Sequence, residues 1–292
     1  MKKVLKWTAA ILSIAVVATV LYFLFAFLGN PVSGILLTIS SNRYMEENFA
    51  DTDFEITTRG YNFKTGSYYT KVKSPSSQDT HFTLYFDGWG RYTYDTYDSV
   101  TGLYNTISRL DDEYRKLVDS KLYEGNGALN CGIAFGELRI ADIYEVYTYT
   151  TEDGTTEHYT LDKEYGLDRS ALKLDGEYDI RELGRECGRI ILYIHDEEVS
   201  VNRLAELLLE TKDYLDDNHI PFFAINFNLC APRNEAGQMV GDQISVYDFL
   251  YSDIYEDGLV DRVQENWDAV REHHAIQDVE TAKLAEVNSE NK

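Results

Sequence analysis

From Thr8 to Leu28 the chain is apolar, with only Thr8, Ser13, Thr19 and Tyr22 among aliphatic and Phe residues. No charged residue stands between Lys6 and Arg43. A bilayer core of about 30 Å needs roughly 20 helical residues, and a helix satisfies its own backbone in lipid. The pattern therefore predicts a membrane-spanning helix over 8–28 that contacts membrane lipid. Lys2, Lys3 and Lys6 on its short side place residues 1–7 in the cytoplasm and the rest outside the cell membrane. A cleaved signal peptide is the rival reading, but its apolar region is usually shorter and ends in a small-x-small site. Phe25-Ala26-Phe27-Leu28-Gly29-Asn30-Pro31 offers a poor one.

The pattern then changes period. Asn30-Pro31 reads as a cap followed by a first-turn proline, and Val32, Ile35, Leu36, Ile39, Met45 and Phe49 recur at helical spacing. Strand signals run over 54–63, 68–73, 81–86 and 91–96, divided by Lys64-Thr65-Gly66, a Ser/Pro-rich stretch at 74–79 and Asp87-Gly88-Trp89-Gly90. Leu103, Ile107, Leu110, Tyr114, Leu117 and Val118 then form a helical stripe within 99–123. This predicts a helix–antiparallel meander–helix domain over 30–124.

Gly125-Asn126-Gly127 marks the boundary of a second domain over 128–275, with a flexible tail over 276–292. Alternating runs at 143–149 and 157–161 flank Asp153-Gly154, a strong hairpin signal. Apolar runs at 189–194 and 222–227 enclose a helical stretch at 201–218, the signature of one βαβ unit with parallel strands. Residues 244–274 read as helical with a break near Gly258. The fold class is thus α+β, with an α/β-type second domain.

Two segments carry a resemblance. Tyr44-Met45-Glu46-Glu47-Asn48-Phe49-Ala50-Asp51-Thr52-Asp53-Phe54-Glu55 leads into Tyr61-Asn62-Phe63-Lys64-Thr65-Gly66-Ser67-Tyr68-Tyr69, and Ser74-Pro75-Ser76-Ser77-Gln78-Asp79-Thr80-His81-Phe82 follows. In these residues the chain resembles the YfjL-like family of membrane-anchored proteins of Gram-positive bacteria. The resemblance implies an order of anchor, helix and tyrosine-rich strands over about 8–120, and a family C-terminal domain beyond. It supplies no catalytic residues.

Charge narrows the function classes. The chain carries 27 Lys+Arg and 50 Asp+Glu, for a net −23. Setting aside Lys2, Lys3 and Lys6 leaves 24 bases against 50 acids outside the membrane, or −26. Such a field repels phosphate backbones, so no nucleic-acid partner is expected. The 23 tyrosines suit half-buried sheets, where the ring packs and the hydroxyl reaches water. Cys131, Cys187 and Cys230 all sit beside apolar sequence and read as buried thiols with at most one bridge.

Few residues point to chemistry. His81 lies between Asp79 and Asp87 near Ser74, Ser76 and Ser77, but the serines read as turn residues and no nucleophile elbow is present. His195-Asp196-Glu197-Glu198 follows an apolar strand, and strand C-termini in α/β sheets are where ligands often bind. His195 and Glu198 are therefore catalytic candidates alongside His81. Asp196, Glu197 and Glu198 are candidate ligands for a hard cation, although Asp196 and Glu197 also suit the cap of the following helix. Asp87 and Asp95 form a second acidic pair, and Trp89, Tyr92 and Tyr94 could make an aromatic sugar platform. No cofactor motif is present. The expectation is a binding or structural module of the cell envelope, with envelope proteins or wall components as partners. The alternative is an envelope hydrolase using acidic residues near His195.

Overall fold

The computed structural model describes residues 2–122, 131–140, 147–150, 156–159, 165–238 and 241–272. It divides into two compact units: Met1–Thr106 with Lys173–Asp175, and Ile107–Leu172 with Gly176–Lys292. The division falls inside a helix, while Gly125-Asn126-Gly127 lies outside the described residues.

In the first unit, α1 (Lys2–Leu28) ends at Gly29, whose φ is +81°. A Cβ there would lie 2.9 Å from the Tyr61 ring, so both the backbone and the space require glycine. Helix α2 (Pro31–Asn48) begins as the sequence predicts, with the Asn30 side chain accepting the Val32 N–H at 2.9 Å. Strands β1 (Glu55–Asn62), β2 (Ser67–Lys73), β3 (His81–Phe86) and β4 (Tyr92–Asp95) pair antiparallel in sequence order. This is the expected meander. Tyr68 and Val72 of β2 and Phe82, Leu84 and Phe86 of β3 alternate onto one face and enclose Leu37 and Val100.

The face of α2 differs from the sequence reading. Val32, Ile35 and Ile39 are exposed, while Ser33, Leu37 and Ser41 are buried. The buried row has i, i+4, i+8 spacing, and its two serines let the helix backbone approach the sheet. Apolar spacing selects the exposed side in this N-terminal half, whereas Met45 and Phe49 of the same stripe do pack against the core. The helix expected from Ser99 is also divided, because Leu103 adopts φ +61° between α3 (Asp98–Thr101) and α4 (Tyr104–Leu122).

In the second unit, β5 (Cys131–Leu138), β8 (Gly188–His195), β9 (Ala224–Cys230) and β10 (Gln243–Leu250) form one sheet in the order β10-β9-β8-β5. Helix α5 (Ile180–Cys187) leads directly into β8, and strands β8 and β9 are parallel and joined through α6 (Val201–Asp217), which is the predicted βαβ unit. Strands β6 (Tyr147–Thr150) and β7 (Thr156–Tyr159) pair antiparallel, and the Asp153-Gly154 turn lies outside the described residues. Tyr114 of α4 is fully buried and donates its hydroxyl to Pro221 O at 2.9 Å. Its ring packs where a Cβ on Gly136, Gly184 or Gly188 would come within 3 Å of it.

The stretch read as a helix over 244–274 is corrected to a strand, a 3-10 turn at Tyr251–Asp253 and a helix, α7, over 259–272. The cause is a bulge. Val246 pairs with Phe227 and Phe249 with Ile225, so Tyr247 and Asp248 together face Asn226. The extra residue buries Val246 and Phe249, three apart, on the same side. That spacing imitates a helical period.

Candidate functional site

The bulge in β10 is also where the polar chemistry of the second unit gathers. Asp248 sits at φ +46°, a backbone region that non-glycine residues rarely adopt. Two asparagine side chains satisfy the displaced backbone. Asn226 accepts the Asp248 N–H at 2.7 Å, and Asn266 of α7 accepts the Tyr247 N–H at 2.9 Å while donating to its carbonyl at 3.0 Å.

This backbone aims the Asp248 carboxylate inward. Oδ1 accepts the Tyr165 hydroxyl at 2.5 Å and Arg189 Nη1 at 3.1 Å, and Oδ2 accepts Arg139 Nη1 at 3.1 Å. The carboxylate is 4% exposed and the Arg139 side chain 6%. Arg189, at the start of β8, also pairs with Glu137 across the β5–β8 ladder. Two guanidinium groups thus face two carboxylates. Burial works against charge on Arg189, but the Asp248 and Glu137 carboxylates outweigh it and hold its pKa above the usual arginine range. Burial, with the negative Asp248 beside it, pushes the Tyr165 hydroxyl above its ordinary value. Arg189 is therefore held charged and Tyr165 held neutral around neutrality. A catalytic acid or base instead needs a pKa near the working pH.

The Tyr165 ring lies over Phe223 at 4.5 Å between centroids and beneath the Arg139 guanidinium at 4.7 Å. On its far side Phe223 borders a cavity of about 350 Å³ with Phe222, Tyr251, Asp216 and Arg185. The Tyr251 hydroxyl donates to Asp216, and Lys212 Nζ stands 4.1 Å from the Tyr251 ring centre. Aromatic walls with one acid and two nearby bases suit an amphipathic or planar ligand better than a metal ion.

The residues singled out in the sequence lie elsewhere. His195 ends β8, and its Nδ1 faces the Ala231 carbonyl at 2.9 Å. A carbonyl can only accept, so Nδ1 is the donor, and Nε2 is buried with no partner among the described residues. Asp196 accepts the Glu198 N–H at 3.0 Å and pairs with Arg203 at 3.0 Å. The Glu198 backbone N–H, then Arg203, hold its pKa below the ordinary carboxylate value. Glu198 accepts the Ser200 hydroxyl at 2.7 Å, and Ser200, rather than Asp196 or Glu197, caps α6. Among the described residues, no group of three His, Cys, Asp or Glu side chains could hold a metal ion.

In the first unit, His81 opens β3 on its exposed face, opposite the buried Phe82. Ser74 and Ser76 both donate to Asp53, at 2.8 and 2.5 Å, which is turn chemistry. Asp87 accepts the Trp89 and Arg91 N–H groups, and Asp95 accepts the Tyr44 and Tyr92 hydroxyls. Tyr44 stacks on Tyr92 and Tyr94 on Tyr85, so Tyr92 and Tyr94 present no shared platform with Trp89. Sequence reasoning missed Arg139, Tyr165, Arg189 and Asp248. The one local signal was an aspartate inside an apolar, β-branched run, Ile244-Ser245-Val246-Tyr247-Asp248-Phe249-Leu250.

The arrangement of anchor-like helix, meander and α/β sheet accords with the family comparison. The chain matches the YfjL-like N-terminal domain over residues 3–96 and the YfjL-like C-terminal domain over residues 137–264. It belongs to the YfjL-like family. The C-terminal match takes in Glu137, Arg139, Tyr165, Arg189 and Asp248, so the buried cluster lies wholly within one family domain. No curated protein and no solved structure matches the chain.

Proposed function

We infer that this YfjL-like protein is a single-pass membrane-anchored protein whose two units lie outside the cytoplasm and act as a binding or structural module of the cell envelope. The observation that carries the reading is α1. The helical stretch Ile11–Asn48 holds an 18-residue window of mean hydropathy 2.7, none of it buried against the rest of the chain. Exposed apolar surface of that size requires another phase or partner. Lys2, Lys3 and Lys6 orient it with the N-terminus inside. A binding role is favoured over catalysis because the buried titratable groups of the second unit neutralise one another. The cavity beside Phe223 and Tyr251 is the surface offered to an envelope partner.

Cysteine labelling tests the topology. Lys64→Cys should react with a membrane-impermeant maleimide in intact protoplasts, above the background of the unaltered protein. Lys3→Cys should react only after permeabilisation. The reverse pattern, or a mature chain whose intact mass lacks residues 1–28, overturns the reading.

A further inference from the structure

A second cavity lies where α1 meets the first unit, and its lining changes character from one end to the other. Of about 430 Å³, it is bordered by Leu28 at the end of α1, by Asn30 and Gly34 at the start of α2, and by Arg59, Tyr61 and Tyr68 of the sheet. The sheet grips the end of α1 at this level. The Tyr61 hydroxyl donates to Ala26 O at 3.3 Å, and the Phe27 and Phe63 rings are 5.8 Å apart.

Arg59 is the unusual member. It is half-buried in a chain with 50 acidic residues, yet its partners are neutral. Nε donates to Ser41 Oγ at 2.9 Å and Nη2 to Asn42 Oδ1 at 2.5 Å, and no carboxylate pairs with it among the described residues. Those contacts fix the plane of the fork and leave further N–H groups for an anion. Tyr68, 6% exposed, accepts the Asn30 N–H at 2.7 Å and keeps its hydroxyl proton to donate. An unneutralised guanidinium and a phenol donor in one recess favour a phosphate. Leu28 in the lining and the exposed Phe63, whose ring meets Phe27 of α1, suit the apolar body below such a head.

We propose that this cavity seats the phosphate head of one phospholipid, held by Arg59 and Tyr68, with its acyl chains running along the end of α1. The proposal rests on the reading of α1 as a membrane anchor. It goes beyond it by assigning a specific lipid site rather than a nonspecific annulus.

The test uses the full chain in dodecylmaltoside micelles, titrated with dioleoylphosphatidylglycerol, with bound lipid counted by native mass spectrometry. One lipid should bind saturably ahead of the rest. Arg59→Gln should weaken that lipid about tenfold, the size of a lost charge-assisted hydrogen bond, and Arg59→Lys should weaken it less. Gly34→Leu is the second variant, because Gly34 lines the cavity and a Cβ there meets nothing within 4 Å, so the added side chain starts from open space. It should lose the saturable lipid while keeping its fold. Equal lipid binding by the unaltered chain, Arg59→Gln and Gly34→Leu overturns the proposal. Inorganic phosphate and glycerol 3-phosphate are the competing arms, and displacement of the lipid by either at millimolar concentration overturns the lipid assignment in favour of a soluble phosphate. A chain that floats with vesicles but binds no saturable lipid overturns the seat alone. A chain that stays monodisperse without detergent and does not float overturns the anchor and the seat together.

Discussion

The Tyr165 hydroxyl meets the Asp248 carboxylate at 2.5 Å, and the residue that makes this contact possible is the one with the strained backbone in β10. A regular strand would alternate Asp248 with its neighbours and give it one face by default. The bulge lets it stay in the sheet and still point at Arg139 and Arg189.

Asp248→Asn keeps the shape and removes the charge, leaving two guanidinium groups to face Glu137 alone. Breaking a buried pair on one side costs about 3–5 kcal/mol, and urea unfolding of the second unit should show a loss of that order. Tyr165→Phe should cost less, roughly 1.5–3 kcal/mol for one hydrogen bond to a charged group, since Oδ1 keeps Arg189 and the ring stays on Phe223. Equal and small effects of both would mean that the cluster is not closed.

The thiols give a chemical test. Cys187 is 1% exposed, and burial, aided by the charge of Glu186, pushes its pKa up to about 12. Burial raises Cys230 as well. In a Cys131→Ser background, neither should react with a thiol-specific disulfide reagent at pH 8 until denaturant is added. Rapid labelling of the native protein would contradict the packing of β8 and β9.

Acid should weaken the first unit through Asp53. The hydroxyls of Ser76 and Ser74 hold its carboxyl below the ordinary value of 3.8. A folded pKa below the unfolded one means that the unfolded state binds more protons. The contribution is therefore present above about pH 4 and lost as pH falls through the lower folded value. Asp53→Asn should lower the denaturation midpoint at pH 6 and narrow its fall between pH 5 and pH 3. Unchanged acid sensitivity in the variant would remove Asp53 from the explanation.

Cations should act by screening. With a net −23, melting temperature should rise with salt and be alike in calcium, magnesium and sodium matched for ionic strength. His195→Ala and Glu198→Ala should leave that response unchanged, and His195→Ala should cost about 1 kcal/mol for the bond to Ala231. A rise of many degrees at micromolar calcium, lost in Glu198→Ala, would instead place a metal site at 196–198.

Much of the architecture was legible because local chemistry and long-range pairing agreed. Asn30-Pro31 started α2, the polar turns divided the meander, and the runs around α6 gave parallel strands. The misreadings have two physical causes. In α2 and β10 the buried face is set by close approach and by one inserted residue, neither of which apolar spacing records. The Asp248 cluster was illegible for another reason. Its members stand at 137, 139, 165, 189 and 248, so no local window contains more than two of them. Only the sheet order brings them together.

The joint at Gly29 and Asn30 is two residues long and is pinned by Tyr61 and Tyr68. With α1 in a bilayer, the first unit has no long tether to swing on and is held close above the surface. Encounters with other anchored proteins then become a search in two dimensions at one level. Modest intrinsic affinity suffices there, because confinement raises the effective concentration of any partner presented at the same height. Lengthening the joint with a flexible insert would trade that gain for reach.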